Sequence, residues 1–406
     1  MSRYLTIFFF LLFASLSQAQ TSTDIVREAL IKQGNPEFDS CSVTLLPSAR
    51  EKYDDMFAHI RQAKRFVHLE YFIFRLDSIG SEMIHLLHEK AQEGVEIRLL
   101  LDAYGNWKAP NPISNEQIDS IRSLGIMMDI FDPLHFPFLQ NMLHRDHRKI
   151  VVVDGLMAWT GGMNVADYYI HGTEMTGPWR DMQARYEGTV VDEFERIFAR
   201  IWEKTTHEHL DADYYKAASH LTGEKVVSIV NREPKLSPRQ IRQSYIKILQ
   251  SARNEVRIVN PYPTNTHSVR RAMRKALDRG LRLKIMVSTK MDNRFTPEII
   301  AIQMNNMMRR GAEVYYYEGG FHHSKVLTVD DEFCSIGTAN LDGRSMRFDY
   351  EVNTVVFDPE VTRQLNDIFD NDVKNSQLLT RQNYKKLFSR KRRFVGRVFQ
   401  FLKAFL

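Results

Sequence analysis

Cysteine and long hydrophobic runs are both scarce in this sequence of 406 residues. Cys41 and Cys334 are the only cysteines, so they form either one disulfide in an exported protein or two buried thiols far apart in the sequence. Cys334 lies in an apolar strand pattern, which suits a small buried residue. After the N-terminus, no stretch approaches the roughly eighteen apolar residues of a membrane-spanning helix. That part of the chain therefore has no predicted transmembrane helix.

Positive charge is missing from most of the chain and concentrated at its end. Residues 384–406 contain eight Lys or Arg and no Asp or Glu, while the whole chain has a net charge of only +5, so the preceding residues carry a net charge of −3. This distribution argues against a nucleic-acid-binding protein with a basic face throughout. We therefore expect no nucleic-acid partner.

The basic tail, residues 376–406, has the pattern of an amphipathic helix. Val395, Val398, Leu402 and Phe405 recur on one face, and Lys386, Arg390, Arg393 and Arg397 recur on another. This arrangement predicts a helix that lies on the surface of an anionic membrane. The alternatives are a helix that packs on the protein with a solvated basic face, and a disordered tail.

Residues 1–19 have the three parts of a secretory signal peptide. Arg3 supplies the positive charge, residues 4–12 are apolar, and residues 17–19 form a small-x-small cleavage pattern. We therefore predict that the protein is exported. An uncleaved N-terminal anchor is the alternative.

The rest of the chain contains an internal duplication. One segment begins near Ala63 and another near Ala252, and each has the order helix, strand, helix, glycine, strand. The glycines, Gly94 and Gly280, suit helix C-termini. Short apolar strands between helical segments predict parallel pairing and an α/β fold, built from two duplicated halves with the active site at their interface. The predicted limits are 20–206 for the first half, 207–225 for a linker and 226–375 for the second half.

Each half also contains the same four polar residues at the same spacing. The first set is His147, Lys149, Asp154 and Asn164, and the second is His323, Lys325, Asp330 and Asn340. Residues i and i+2 of a strand point to the same face, so each His and its Lys project together. The Asp falls at a predicted turn between two strands, where we expect it to bind the backbone N–H groups of that turn.

This combination suits attack on a phosphodiester. Two Lys and two Asn can neutralise and hold the phosphate without a metal. One His can attack phosphorus and the other can protonate the departing alcohol. A nucleophilic His also needs a group that fixes its tautomer. Asp181, 34 residues after His147, and Glu351, 28 residues after His323, are the predicted orienting acids; the alternative for each is an ordinary salt-bridged acid.

Other polar clusters near the motifs have simpler interpretations. His144, Asp146 and His147 have the wrong spacing for a helical zinc pair, and Lys149 would oppose a cation. We therefore predict no metal site. His144 and His322 are expected to support the site or lie at the surface. Glu70 either lines the cleft or is a buried, paired acid.

The duplicated pattern resembles the HKD motifs of the phospholipase D superfamily, and strings such as HRKIVVVDG, TGGMN and NLDGRS resemble its cardiolipin synthase branch. The resemblance covers residues 44–358. It implies that two phosphatidylglycerols are joined into cardiolipin, with release of glycerol, at the periplasmic face of a bacterial membrane. It also implies a phosphohistidine intermediate and no metal or cofactor.

By this resemblance, His147 is the nucleophile and His323 the acid and then the base. Lys149, Lys325, Asp154 and Asp330 complete the catalytic set, and Asn164, Asn340 and Thr338 bind substrate. Three features depart from the family: a signal-like segment replaces two membrane spans, Thr338 replaces Ser, and Asp146 replaces Asn. A secreted hydrolase of the same superfamily, which cleaves phospholipid or, less in keeping with the tail, nucleic acid, is the alternative function, and a non-catalytic lipid-binding protein is a third.

Overall fold

The computed structural model describes residues 20–108, 111–133, 143–219, 223–264, 266–293 and 296–400. The predicted signal segment, residues 1–19, lies outside the described residues. So do Leu402 and Phe405 of the predicted apolar face of the tail.

The first half of the chain alternates strands and helices. Its elements are α1 (Ser22–Lys32), β1 (Glu37–Leu46), α2 (Ala49–Gln62), β2 (Phe66–Tyr71), α3 (Ser78–Gln92), β3 (Glu96–Asp102), α4 (Ala103–Lys108), α5 (Asn115–Ser123), β4 (Met127–Phe131), β5 (Lys149–Val153), β6 (Met157–Gly161), α6 (Tyr168–His171), β7 (Trp179–Arg180), β8 (Gln183–Glu187) and α7 (Val191–Thr206).

The second half repeats this order with small changes. Its elements are β9 (Lys225–Arg232), α8 (Gln240–Ser251), β10 (Glu255–Val259), α9 (His267–Asp278), β11 (Arg282–Ser288), α10 (Thr296–Met308), β12 (Glu313–Tyr317), β13 (Phe321–His322), β14 (Val326–Val329), β15 (Phe333–Gly337), α11 (Gly343–Arg347), β16 (Glu351–Phe357), α12 (Pro359–Val373), β17 (Ser376–Leu378), α13 (Arg381–Leu387) and α14 (Arg390–Val398).

The strand pairing confirms the duplicated α/β fold. In the first half β2, β3 and β4 are parallel and the β5–β6 hairpin is antiparallel to β2; in the second half β10, β11 and β12 are parallel and the β14–β15 hairpin is antiparallel to β10. The helices α3 and α9, which precede β3 and β11, are followed by Gly94 and Gly280 at φ +86° and +88°. The left-handed backbone at these positions favours glycine, as the sequence predicted.

The two halves share one sheet. β1 pairs with β8 on one side and with β9 on the other, and β9 pairs with β16 of the second half. The resulting order of fifteen strands is β17-β12-β11-β10-β14-β15-β16-β9-β1-β8-β6-β5-β2-β3-β4. The halves therefore meet along continuous hydrogen-bonded strands, which holds their two motif hairpins in a set relationship.

The chain crosses between the halves at its beginning. Val26 and Leu30 of α1 are buried against Ile241 and Tyr245 of α8. The hydroxyl of Ser22 also donates a hydrogen bond to Asp330 over 2.8 Å. The start of the predicted 20–206 segment thus packs on the second half, because the apolar stripe of α1 completes the core there.

The tail helix α14 packs on the protein along one face. Gly396 is so close to α10 that a Cβ atom would lie 2.3 Å from the carbonyl oxygen of Glu298. Arg392 donates to the Glu298 carboxylate over 2.8 Å. Phe394 and Val398, in contrast, are 64% and 47% exposed. The packed-helix alternative therefore describes one face of α14, while apolar and basic side chains remain exposed on the other.

Two expectations about absent features can be compared with the structure. Cys41 and Cys334 are separate buried thiols, which agrees with the alternative to a disulfide. None of the helices within the described ranges has the length and hydrophobicity needed to cross a membrane.

Candidate active site

The His147 segment enters the site as an extended strand beside the other half of the chain. The amide of Tyr350 donates to the carbonyl of Arg145 over 2.8 Å, and the amide of His147 donates to the carbonyl of Tyr350 over 3.1 Å. This short parallel pairing sets His147 opposite Glu351, immediately before β5 begins.

The His323 segment is held in the same way with the halves exchanged. Phe321 pairs with Trp179 and His322 with Arg180 in the parallel β13–β7 pair. The amide of His323 then donates to the carbonyl of Arg180 over 2.7 Å. This pairing sets His323 opposite Asp181.

Each histidine consequently contacts a carboxylate from the other half. Nδ1 of His147 lies 3.0 Å from Oε1 of Glu351, and Nδ1 of His323 lies 2.7 Å from Oδ2 of Asp181. With the proton on Nδ1, each ring donates to its carboxylate and keeps Nε2 as an acceptor. The arrangement therefore orients two imidazoles for attack or proton transfer, as a carboxylate does in a catalytic triad.

Both histidines line one cavity of about 480 Å³ between the halves. The first half contributes Phe72, Ile73, Tyr104, Gly105, His147, Asn164, Tyr168, Tyr169 and Trp179, and the second half contributes Tyr262, Asp292, Asn293, Thr296, His323, Asn340, Asp342, Arg344, Ser345 and Asp349. The aromatic rings of Trp179 and Phe72 pack 5.1 Å from His323 and 5.0 Å from His147, measured between ring centroids. One substrate group can thus reach both imidazoles.

The motif lysines are buried behind the histidines. Nζ of Lys149 donates to the carbonyl of His147 over 2.5 Å. Nζ of Lys325 donates to the carbonyl of His323 over 2.6 Å and lies 2.9 Å from both nitrogens of its ring. Burial lowers the pKa of Lys149 to about 7 and that of Lys325 to about 8. A bound phosphate anion would favour their charged forms, so the pair is suited to a negatively charged substrate.

Burial and the neighbouring lysines also act on the histidines. The pKa of His147 lies well below its ordinary value because the ring is buried and Lys149 is close. The pKa of His323 is lowered by burial and by Lys325. A neutral imidazole is the nucleophilic form, so this environment keeps the rings ready to attack.

The two orienting acids are electrostatically different. Burial raises the pKa of Glu351, against the opposing effect of Lys149. Burial acts in the same direction on Asp181, but the proximity of His323 and Lys325 outweighs it and the pKa is lowered. The duplicated site is therefore symmetric in geometry and asymmetric in charge.

Both motif asparagines line the cavity, as expected for substrate-binding residues. Asn164 accepts a hydrogen bond from the amide of Ile73 over 3.0 Å and donates to the Tyr169 hydroxyl over 2.6 Å. Oδ1 of Asn340 has no hydrogen-bond partner among the described residues. Asn340 is thus the asparagine whose polar atoms are more available to a ligand.

Thr338 has a different place from the predicted one. It is fully buried, is absent from the cavity wall, and donates to Oε2 of Glu351 over 2.5 Å. The corresponding residue of the first motif is Gly162, where a Cβ atom would lie 2.1 Å from the Asp181 carboxylate. Both positions sit directly against an orienting acid, which explains why Thr338 holds Glu351 and does not contact the cavity.

The motif aspartates also lie away from the cavity wall. Asp154 accepts hydrogen bonds from the backbone amides of Lys64, Arg65 and Phe66. Asp330 accepts equivalent bonds from the amides of residues 253–255. The predicted turn residues therefore bind the start of the neighbouring strand, β2 or β10, and not their own turn. Their placement in the catalytic set is corrected to a structural role.

The remaining polar clusters are resolved by salt bridges. Arg148 donates to Glu70 over 2.7 Å and to Asp146 over 3.1 Å, and all three are buried. This pairing accounts for the negative charge of Asp146 and makes Glu70 a paired acid. His322 is buried with Nε2 3.1 Å from Asp372, and His144 lies against the carbonyl of Phe348. Within the described ranges, no three acidic, His or Cys side chains are grouped as metal ligands.

The sequence analysis missed several residues of the cavity wall. Tyr104 follows β3, Tyr262 follows β10, and Asp292 follows β11. All three lie just beyond the carboxyl ends of parallel strands, which is where ligand sites of α/β sheets form. That position is the signal by which they could have been found.

Comparison with protein families gives one match over two segments. Residues 56–202 and 245–373 match the family described as "Cardiolipin synthase, PLD-like domain". The two segments contain both motif hairpins and correspond to the two halves of the fold.

Curated relatives align over most of the chain. Cardiolipin synthase 1 of Staphylococcus epidermidis is 31% identical over 367 residues, which is 89% of this chain and 74% of the relative. Cardiolipin synthase of Oceanobacillus iheyensis is 32% identical, over 88% of this chain and 72% of the relative. A probable cardiolipin synthase of Bacillus subtilis is 32% identical, over 86% and 72%.

Solved structures show a similar fold at low identity. Phosphatidylserine synthase of Haemophilus influenzae superposes with a TM-score of 0.72 at 15% identity, covering 94% of this chain and all of that one. Polyphosphate kinase of Porphyromonas gingivalis gives a TM-score of 0.54 at 12% identity, over 88% of this chain and 52% of its own. These likenesses concern the fold alone.

Proposed function

The chain belongs to the cardiolipin synthase family of phospholipase-D-like proteins, and we propose that it transfers a phosphatidyl group from one phosphatidylglycerol to the glycerol of a second. The products are cardiolipin and free glycerol. The observation that carries this proposal is the pair of histidines on one cavity, each oriented by a carboxylate of the opposite half and each with its own buried lysine.

The reaction has two balanced steps. In the first, Nε2 of His147 attacks phosphorus, the bond to the glycerol oxygen breaks, and His323 gives that oxygen a proton. In the second, His323 takes the proton of an incoming hydroxyl, whose oxygen attacks phosphorus and releases His147. Lys149 and Lys325 offset the negative charge of the phosphate in both steps. For His323 to act first as an acid it must be protonated, and the phosphate anion favours that form.

The asymmetry of the orienting acids supports this division of roles. Asp181, whose pKa is lowered, suits His323, because an ionised partner stabilises the imidazolium needed in the first step. His147 has its pKa held well below the ordinary value and remains a neutral nucleophile.

The direct test is incubation of the purified protein with labelled phosphatidylglycerol vesicles, followed by identification of the products. We expect cardiolipin and glycerol in equal amounts, and phosphatidic acid as the main product would favour the hydrolase instead. His147→Ala and His323→Ala should each abolish turnover, while a chelator leaves it intact. Turnover by either variant at the wild-type rate would remove the mechanism.

We also propose that the exposed face of α14 rests on anionic lipid close to the cavity. Thr296, the first residue of α10, lines the cavity, and α14 packs on Glu298 two residues later. The exposed Phe394 and Val398 lie among exposed basic side chains, which match an anionic bilayer in charge and hydrophobicity.

A substitution in α14 tests membrane attachment without removing its packing residues. Phe394→Ser should lower binding to phosphatidylglycerol vesicles severalfold, because one exposed aromatic anchor is lost. The matched control is Leu236→Ser, which removes a residue that is 75% exposed on the loop before α8. Equal vesicle binding by Phe394→Ser and the wild type would contradict the attachment.

The same proposal places the enzyme outside the cytoplasmic compartment, at the periplasmic face of a bacterial membrane. Residues 1–19 carry this part of the proposal. N-terminal sequencing of the protein recovered from cells should begin at residue 20 if the segment is cleaved, and a protease added outside spheroplasts should digest the enzyme. Complete protection from that protease would refute the export.

A further inference from the structure

A carboxylate and a phenol form a polar wall of the cavity beside His323. Asp292 follows β11, and the hydroxyl of Tyr262 donates to its Oδ1 over 2.5 Å. The rings of Tyr262 and His323 are 6.2 Å apart between centroids. All three residues line the same cavity. The wall therefore faces the histidine to which the proposed reaction assigns proton exchange with the alcohol.

Asp292 differs from the other two carboxylates of the cavity. Asp342 caps α11 by accepting from the amide of Ser345 over 2.8 Å, and Asp349 is held by Arg344, with the closest oxygen 2.9 Å from the guanidinium. Both are buried and have these partners within the protein. Asp292 is exposed, and no cation of the described residues lies within ion-pair distance of it. Its Oδ2 is thus open to a ligand.

An anion at this position needs a reason, because the substrate is itself an anion. A carboxylate near the phosphate repels it unless the substrate brings a hydrogen-bond donor to the carboxylate. The glycerol group of phosphatidylglycerol carries two free hydroxyls beside the esterified oxygen. When that oxygen is next to His323, a neighbouring hydroxyl can donate to Asp292 while Tyr262 holds the carboxylate from the other side.

We propose that Asp292, positioned by Tyr262, selects an alcohol that bears a second hydroxyl, both as the departing glycerol and as the acceptor. This inference rests on the proposed function and names its alcohol specificity. Water and monohydric alcohols lack the second donor and lose this contact, so the wall favours transfer to a glycerol head group over hydrolysis.

The experiment measures competition between alcohols. Wild-type protein and Asp292→Asn are incubated with phosphatidylglycerol vesicles and equal concentrations of labelled glycerol and 1-propanol, and the labelled phosphatidylglycerol and phosphatidylpropanol are quantified. The ratio of glycerol product to propanol product should fall about tenfold or more in Asp292→Asn, as expected when a hydrogen bond to a charged group is lost. Asp119→Asn, on an exposed carboxylate of α5 with 73% of its side chain accessible, is the matched control and should keep the wild-type ratio.

A second variant and a third alcohol guard against a trivial result. Tyr262→Phe removes the hydroxyl that holds Asp292 and should lower the same ratio by a smaller factor, so the inference can be tested even if Asp292→Asn fails to fold. Ethanolamine is offered to the wild type as a competitor with an ammonium group in place of the hydroxyl. Preference for ethanolamine over glycerol would overturn the inference in favour of a site for cationic head groups.

The possible failures are distinguishable. A wild-type enzyme that transfers to both alcohols, with an Asp292→Asn ratio equal to its own, overturns the selection by Asp292 and leaves the proposed function standing. A wild-type enzyme that yields phosphatidic acid alone overturns the proposed function and this inference with it.

Discussion

Replacement of Asp154 by Ala should destabilise the protein and leave the chemistry of the folded fraction largely intact. The carboxylate accepts 2.8, 2.8 and 3.0 Å hydrogen bonds from the amides of Lys64, Arg65 and Phe66. It does not line the cavity that contains the histidines. The same residue in a catalytic role would give the opposite result, so this variant separates the two interpretations.

The size of the effect follows from which amides can find water. Lys64 and Arg65 are exposed, so solvent can replace the lost bonds at about 0.5–1 kcal/mol each. Phe66 is only 1% exposed, so its amide loses a partner that water cannot easily replace, at about 1–3 kcal/mol. The free energy of unfolding should fall by about 3 kcal/mol in Asp154→Ala. Asp154→Asn keeps one acceptor oxygen and should cost about half as much.

Urea denaturation of the ligand-free protein measures the stability change, and kcat at a temperature where each variant is folded measures the chemistry. Asp278→Ala, on an exposed carboxylate of α9, is the control and should change stability by less than about 0.5 kcal/mol. Hydrogen exchange at the amides of residues 64–66 should accelerate in Asp154→Ala. The reasoning is refuted if the variant keeps wild-type stability while kcat falls by a thousandfold.

Three further predictions concern the orienting acids and the buried lysines. Glu351→Gln and Asp181→Asn should each lower kcat by roughly 10³–10⁴, as for loss of the carboxylate in a triad, with little change in KM; full activity in either would show that the crossed contacts are incidental. Burial lowers the pKa values of Lys52, Lys149 and Lys325 to about 7, 7 and 8 from 10.5, so between pH 7 and 10 the unfolded chain binds more protons and stability should rise with pH; a flat or falling urea midpoint contradicts this. Inorganic phosphate should raise the midpoint at pH 7 in the wild type and less in Lys149→Met, because it binds beside the lysines; equal shifts would argue against a phosphate site there.

The predictable part of this site is local. A His and a Lys two residues apart on a strand must share a face, so His147 with Lys149 and His323 with Lys325 follow from strand geometry alone. The equal spacing of two such pairs in one chain indicated a site shared by two halves. Apolar strands and glycine-ended helices were sufficient for the α/β class, because these signals depend only on near neighbours.

The exchange of the orienting acids between halves depended on tertiary structure. Glu351 serves His147 and Asp181 serves His323 because residues 145–147 pair with 349–351, and 321–323 with 179–181. No sequence spacing encodes which strand lies beside which across about 200 residues. The packing of α1 on the second half has the same cause, since an amphipathic helix shows which face is apolar but not which core receives it.

The roles of Thr338 and the motif aspartates were decided in the same way. A hydroxyl or carboxylate at a motif position identifies a polar group, and only its surroundings show whether it meets substrate, another side chain or backbone amides. Thr338 is directed at Glu351, and Asp154 and Asp330 at the starts of neighbouring strands. The sequence by itself determined which groups the chain brings to the chemistry, because that depends on residue type and local spacing. The folded chain determined which of them face the cavity, because burial and long-range pairing are properties of the whole.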